Sequence, residues 1–293
     1  MKRLLNGSEE ATLKELNSVG SRHGLRVNAK VRVADVCPIE RSGIPEDLYK
    51  YALMAHFDFL ITNDDFVPQF AVEFDGPSHA TPRSKVLDKN KDAICRKFNF
   101  PLLRIKINYL PKRYNNLSLL EWIIDVYYLA QAFDEAQEKG YVPYDEPFDP
   151  FFITITNEDG HTRRFPYWIS RNANLALQKL HSLGKIAVPR TSGFIGEDSE
   201  ANIRGIEFIK INDTHGVLVK SAMRSQLFPV NFTDLLRELL LIFTYEKIQE
   251  YLISGSGLMP LSTIDRIVSL YQSKCKMLSA HGYSLNFGAS HFP

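Results

Sequence analysis

Residues 56–105 read HFDFLITNDDFVPQFAVEFDGPSHATPRSKVLDKNKDAICRKFNFPLLRI. Two apolar segments inside this stretch, Phe57 to Thr62 and Gln69 to Asp75, carry carboxylates in otherwise hydrophobic surroundings. Removing an ionised group from water requires a compensating partner. Between them, Asn63, Asp64, Asp65, Phe66, Val67 and Pro68 are rich in turn formers, so the spacing predicts an antiparallel hairpin. Side chains alternate across a strand. Phe57, Phe59 and Ile61 therefore share one face and leave Asp58 on the other, while Phe70, Val72 and Phe74 share a face and leave Glu73 and Asp75 together. If the register sets Asp58 beside Glu73, their oxygens converge on a hard divalent cation, Mg²⁺ or Mn²⁺, which keeps several waters and binds substrate phosphate directly. Asp58, Glu73 and Asp75 are the candidate metal ligands. Such an ion polarises a phosphodiester and lowers the pKa of the attacking water, which is the chemistry of a phosphodiesterase.

The residues that follow suit the same substrate. After the Gly76-Pro77 breaker, a helix is expected from Ser84 to Phe98, with Leu87, Ile94 and Phe98 as its apolar stripe. Lys91 lies one turn after Asp88 and is the candidate ammonium for orienting water or neutralising the transition state; His79 is placed to shuttle a proton. From Arg83 to Arg113 there are ten Lys and Arg against two Asp, a local positive excess of the kind that follows a phosphate backbone. Arg83, Lys85, Lys89, Arg96, Lys97 and Arg104 are the candidate contacts to nucleic acid, DNA by preference and RNA not excluded.

Working outward, a first helix is expected from Ser8 to about Ser21, with Glu9 and Glu10 in its first turn. A strand follows over Leu25 to Val36 and a short helix from Pro45 through Met54. Beyond Pro101 come a strand from Leu102 to Ile107 and a long amphipathic helix from Ser118 to Glu138, closed by Gly140. The order αβαββαβα predicts one α/β domain over residues 1–140. The run GYVPYDEPFDP, with three prolines and three acids, marks a linker at 141–150. Residues 151–293 are expected to form an α+β accessory domain. Its elements are a strand at Phe151 to Thr156, a turn at Asp159-Gly160, a helix near Asn172 to Leu183, strands at Ile206 to Ile211 and Gly216 to Val219, and helices at Thr233 to Ser254 and Ser262 to Ala280.

Composition narrows the function classes. At 293 residues with 44% hydrophobic and 24% charged residues, the chain is an ordinary globular protein and neither disordered nor fibrous. Thirty-five Lys and Arg against 34 Asp and Glu leave a net charge of +1, so attraction to a polyanion must be local. No uninterrupted apolar run approaches the ~18 residues of a membrane span. The amino terminus lacks a signal-peptide core, and Cys37, Cys95 and Cys275 form no CxxC pair, so a cytoplasmic setting with reduced thiols is expected. Asp125 to Asp159, with nine acids and one lysine, suits a solvated face. His161 to Trp168 could stack on nucleic acid, but a hairpin end with core aromatics explains it as well.

In order, the chain has an acid in the first helix, Asp58 in a strand, the E-x-D-G-x-x-H string Glu73 to His79, D-x-x-K at Asp88 to Lys91, and a closing L-R-I at Leu103 to Ile105. This order resembles the PD-(D/E)XK nuclease superfamily, and within it the branch related to very-short-patch-repair endonucleases, over about the first 110 residues. The resemblance implies a restriction-endonuclease-like fold and metal-dependent cleavage of DNA; the unassigned residues 151–293 would suit a setting in phage defence, repair or a mobile element. It matches Glu10 to the first-helix acid, Asp58 and Glu73 to the metal-binding acids, and Asp75, His79, Asp88 and Lys91 to further site positions. Phe57 stands in place of the superfamily's proline and Asp75 in place of its usual lysine, so either Lys91 supplies the ammonium or Asp75 adds a ligand. The displaced lysine also permits a non-cleaving, nucleic-acid-binding subunit of a larger complex. Residues 151–293 are expected to select substrate or to assemble the protein with a partner or a second copy.

Overall fold

A computed structural model describes residues 3–76, 81–156 and 160–282. It is a mixed α/β protein that divides into two units, residues 1–154 with 226–230 and residues 155–225 with 231–293.

The first unit begins with α1, Gly7–Arg22, whose amino terminus is closed by a reciprocal pair: the Asn6 side chain accepts from the backbone of Ser8 and Glu9, and the Glu9 carboxylate accepts from the Asn6 backbone. Strand β1, Arg26–Arg32, is shorter than the strand expected to Val36, because Val33–Val36 (α2) closes a helical turn in which Cys37 N–H donates to the Val33 carbonyl. Helix α3, Glu46–Met54, follows Pro45, whose fixed φ suits a helix entry. Strands β2, His56–Thr62, and β3, Pro68–Phe74, form the expected antiparallel hairpin. Helix α4, Pro82–Lys97, then carries the chain over to β4, Leu102–Ile105, which pairs parallel to β3. A parallel pair cannot be closed by a tight turn, and α4 is the crossover it requires. Helix α5, Leu119–Glu138, has a Ser118–Glu121 capping box.

The sheet order is β1-β2-β3-β4. Val33, Ala52, Phe57, Ala71, Ile94, Cys95 and Leu102 make one buried cluster from α2, α3, α4 and the sheet. Phe70 on β3 meets Tyr127 of α5 and Phe228 of the returning segment at ring-centroid distances of 5.7 and 5.2 Å. The inward face of α4 differs from the expected stripe: Asp88, Lys91, Ile94 and Cys95 are buried, whereas Leu87 is 42% exposed. Charged side chains that find partners on the sheet take the helix face that hydrophobicity alone would give to leucine.

The second unit is built on five antiparallel strands in the order β10-β9-β8-β7-β11. They are β7, Ser192–Glu197; β8, Ile203–Lys210; β9, His215–Met223; β10, Met259–Pro260; and β11, Lys276–His281. Ahead of this sheet, β5, Thr154–Thr156, and β6, Thr162–Arg164, form a two-stranded ribbon; part of the turn expected at Asp159-Gly160 lies outside the described residues. Helices α6, Arg171–Ser182, and α7, Phe232–Ser254, bury Leu177 and Ile248 with Ile209 and Val217. Helix α8, Leu261–Gln272, buries Ile264 and Val268 against Phe194, Ile206 and Phe208. Two features depart from the sequence reading. The chain expected to be helical up to Ala280 turns into β11, and β7 is a strand despite Gly193 and Gly196. Gly196 is needed there, since a Cβ would lie 2.7 Å from Cys275 Cβ. Among the described residues no helix is long and apolar enough to cross a membrane.

Candidate active site

Four charged residues fall on one line across the first sheet. Lys30 on β1 and Asp58 on β2 lie between the register pairs Ala29–Phe59 and Val31–Phe57. Asp58 and Glu73 stand one step beyond the Phe59–Val72 pair, and Glu73 pairs with Arg104 of β4. The register that sets Asp58 beside Glu73, the condition on which convergence of the two carboxylates depends, is the one found.

Past the last ladder pair, the two carboxylates replace the backbone acceptors. Asp58 N–H donates to Glu73 Oε1 at 3.2 Å, and Phe74 N–H donates to Asp58 Oδ2 at 2.9 Å. Each strand's carboxylate thus holds a donor of the other strand, which fixes both side chains in orientation. The remaining oxygens meet ammonium groups. Lys30 Nζ is 2.7 Å from Asp58 Oδ1 and 2.7 Å from Glu9 Oε1, and Lys91 Nζ is 2.6 Å from Glu73 Oε2 and 2.7 Å from the His56 carbonyl oxygen.

Lys30 reaches this position from a left-handed backbone, φ 55°, a conformation that costs a non-glycine residue about 1–2 kcal/mol. Two charge-assisted contacts offset that strain. Although partial burial opposes it, the hydrogen bonds to Asp58 and Glu9 push the Lys30 ammonium above its ordinary pKa. Burial raises the Glu73 carboxyl, and the nearby Asp58 charge adds to the rise, while Lys91 and Arg104 oppose it.

The first-helix acid that joins the cluster is Glu9. Its carboxylate is turned back by the capping box, whereas Glu10 is exposed and paired with Arg3. The expected placement of Glu10 in the site is corrected accordingly. An acid three residues after an N-cap Asn is the signal that identifies the right one.

Asp75 and Arg104 also differ from expectation. Arg104, read as a phosphate contact, is 4% exposed, and its guanidinium is engaged by Asp92, Asp88 and Asp75 at 2.8, 3.1 and 3.4 Å. It fastens α4 to β4 and also engages Asp75, just past the end of β3. Arg104 backbone N–H and carbonyl are both taken by the Gln226 side chain, at 2.9 and 3.0 Å. Arg83, Lys85, Lys89, Arg96 and Lys97 are exposed on α4 and form no ion pair among the described residues. His79 lies outside the described residues.

A hard divalent ion is compatible with this donor set. Among the described residues no three His, Cys, Asp or Glu side chains stand as a complete ligand group, but Mg²⁺ ordinarily takes one or two carboxylates and completes its shell with water and substrate phosphate. Each carboxylate oxygen here retains a lone pair beyond its hydrogen bond. The Lys30 side chain, 32% exposed, has a route out to solvent.

Residues 1–116, which include β1 to β4 and every member of the cluster, match a family described as a protein of unknown function, DUF2726. Comparisons with curated proteins and with solved structures returned no match.

Proposed function

We propose that the first unit is a restriction-endonuclease-like domain that hydrolyses phosphodiester bonds in DNA with Mg²⁺ or Mn²⁺ held by Asp58 and Glu73. The observation that carries this reading is the Glu73–Lys91 pair. The chain has Asp75 where the resembled superfamily has its lysine, and a buried ammonium from α4 stands 2.6 Å from the metal-binding acid instead. An ion held by Asp58 and Glu73 would supply Lewis acidity to the phosphate and to a water beside it.

The chain's own groups do the positioning. Asp58 N–H and Lys91 orient Glu73, and Phe74 N–H orients Asp58. Lys91 also supplies a fixed positive charge where the phosphorane gains negative charge. The exposed cations of α4, Arg83, Lys85, Lys89, Arg96 and Lys97, carry the backbone. Arg104 and Asp75 hold the scaffold. The second unit selects substrate or recruits a partner, which suits a cytoplasmic defence, repair or mobile-element protein.

One observation favours a second reading. Lys30 Nζ sits between Glu9 and Asp58 where a cation would be bound, as in a subunit that binds nucleic acid without cutting it. Nicking of supercoiled plasmid by the purified chain with Mg²⁺ or Mn²⁺ separates the two. The nuclease reading expects metal-dependent nicking that Asp58→Asn and Glu73→Gln abolish. Cleavage unchanged in both variants would overturn the site assignment, and salt-sensitive DNA binding with no nicking by the wild type would select the second reading.

A further inference from the structure

A second candidate site lies in the other unit and has no part in the reading above. His281 on β11 is in register with Gly193 on β7, and Gly193 with Glu207 on β8. The imidazole crosses the strand that has no side chain at this point and places Nε2 3.0 Å from Glu207 Oε1. Gly193 is required for this: a Cβ there would lie 2.4 Å from Glu207 Oε2. The next residue, Gly282, has φ 101°, and a Cβ on it would lie 2.4 Å from Ser192 Oγ. Gly193 thus makes room for the histidine–carboxylate pair, while Gly282 lets the end of β11 approach Ser192.

Glu207 is fully buried, its second oxygen has no hydrogen-bond partner among the described residues, and it faces the α7 side of the sheet together with Gly205, whose Cβ position meets Leu240. An apolar residue would fill this place without the desolvation penalty of a carboxylate. The pair instead steadies an imidazole that lines an open cleft of about 440 Å³ between α6, α7 and the start of β7. That volume is in the range of small-molecule sites.

The lining combines three kinds of group. Leu177 and Leu241 give an apolar wall, Asn174 and Thr191 give neutral polar groups, and Arg190 gives a guanidinium with the His281 imidazole on the same lining. Among the described residues the Arg190 guanidinium has no ion pair or hydrogen bond, and His281 Nδ1 has none either. An unpaired guanidinium beside a tethered imidazole, on an apolar wall, is the arrangement that takes a carboxylate or phosphate carried on an apolar body.

We propose that this cleft binds a small organic oxyanion, with the acidic group on the Arg190 guanidinium, the His281 ring lining the same cleft, and the apolar body on Leu177 and Leu241. The test uses the full chain with phenyl phosphate, benzoate and neutral phenol as probes, followed by calorimetry and by the assigned His281 ring resonance. At least one of the two anions should bind and move the His281 signal, phenol should do neither, and the preferred anion identifies the acid class. Arg190→Gln, an exposed change, should weaken that binding about tenfold while leaving the free protein's melting temperature unaltered. Absence of binding by both anions at millimolar concentration, or equal binding by Arg190→Gln, would overturn the proposal. Neither result depends on whether the first unit cleaves DNA.

Discussion

The ammonium of Lys91 and the carboxylate of Glu73 meet at 2.6 Å with side-chain exposures of 9% and 4%, although the residues lie on different elements 18 positions apart. A pair this far from water is held by its mutual charge, and removal of either partner strands the other in a poor dielectric. Lys91→Met should therefore destabilise the first unit by about 3 kcal/mol or more. The double variant Glu73→Gln/Lys91→Met should lose less than the sum of the single variants. Urea denaturation of the four proteins checks this, and simple additivity would contradict the pairing.

Lys30 bridges Glu9 and Asp58 in the place that a divalent ion would contest. Lys30→Met removes the competing charge and leaves both carboxylates open. Mn²⁺ affinity, measured by calorimetry, should rise about tenfold, the effect of relinquishing one charge-assisted hydrogen bond. An unchanged affinity would mean that Lys30 and the ion do not compete.

The basic residues of the 83–104 segment should separate into two classes. Substituting Arg83, Lys85 and Lys89 by Ala is expected to weaken DNA binding and to lower the salt slope by roughly one for each phosphate left without its cation, with no effect on stability. Arg104→Ala should act the other way round: it leaves Asp75, Asp88 and Asp92 without their shared guanidinium and so lowers the unfolding free energy by several kcal/mol, on the order of 3–5. Filter binding at several salt concentrations, beside urea melts, distinguishes them.

The second unit should show a pH signature of its own. Burial pushes the Glu238 carboxyl from 4.5 up to about 7, against the opposing hydrogen bond from Ser170. Above pH 4.5 the unfolded chain releases this proton while the folded unit retains it until about 7, so the unfolded state binds fewer protons and stability falls as pH rises through that window. The loss at pH 8 relative to pH 4 amounts to about 3 kcal/mol. Glu238→Gln keeps a carbonyl acceptor for Ser170 N–H and removes the titration. Its melting temperature should exceed that of the wild type at pH 8 and approach it at low pH.

The hairpin and its paired acids were legible in the sequence because strand alternation has a period of two, and a carboxylate in an apolar strand has few destinations. Asp58 and Glu73 fall together for that reason, and Lys91 joins them from α4. Glu9 was missed in favour of Glu10 because the capping box, an interaction local to the helix end, decides which acid turns back toward Asn6. Lys30 was missed because the sequence does not say which strand β1 pairs with, and it is the β1–β2 register that sets Lys30 opposite Asp58. Arg104 was read as a surface cation because charge in a sequence does not disclose burial, and here Asp75, just past β3, and Asp88 and Asp92 of α4 enclose it. Strand β7 escaped notice because its glycines lack strand propensity, and their purpose appears only when Cys275 and Glu207 arrive beside them.

Anomalous diffraction from crystals soaked in Mn²⁺ shows whether Asp58 and Glu73 hold a divalent ion. One strong peak is expected within coordination distance of both Asp58 and Glu73, with Lys30 Nζ withdrawn from Asp58 and Lys91 still on Glu73. No peak at this position, with Lys30 still bridging Glu9 and Asp58 under saturating Mn²⁺, would contradict the metal assignment.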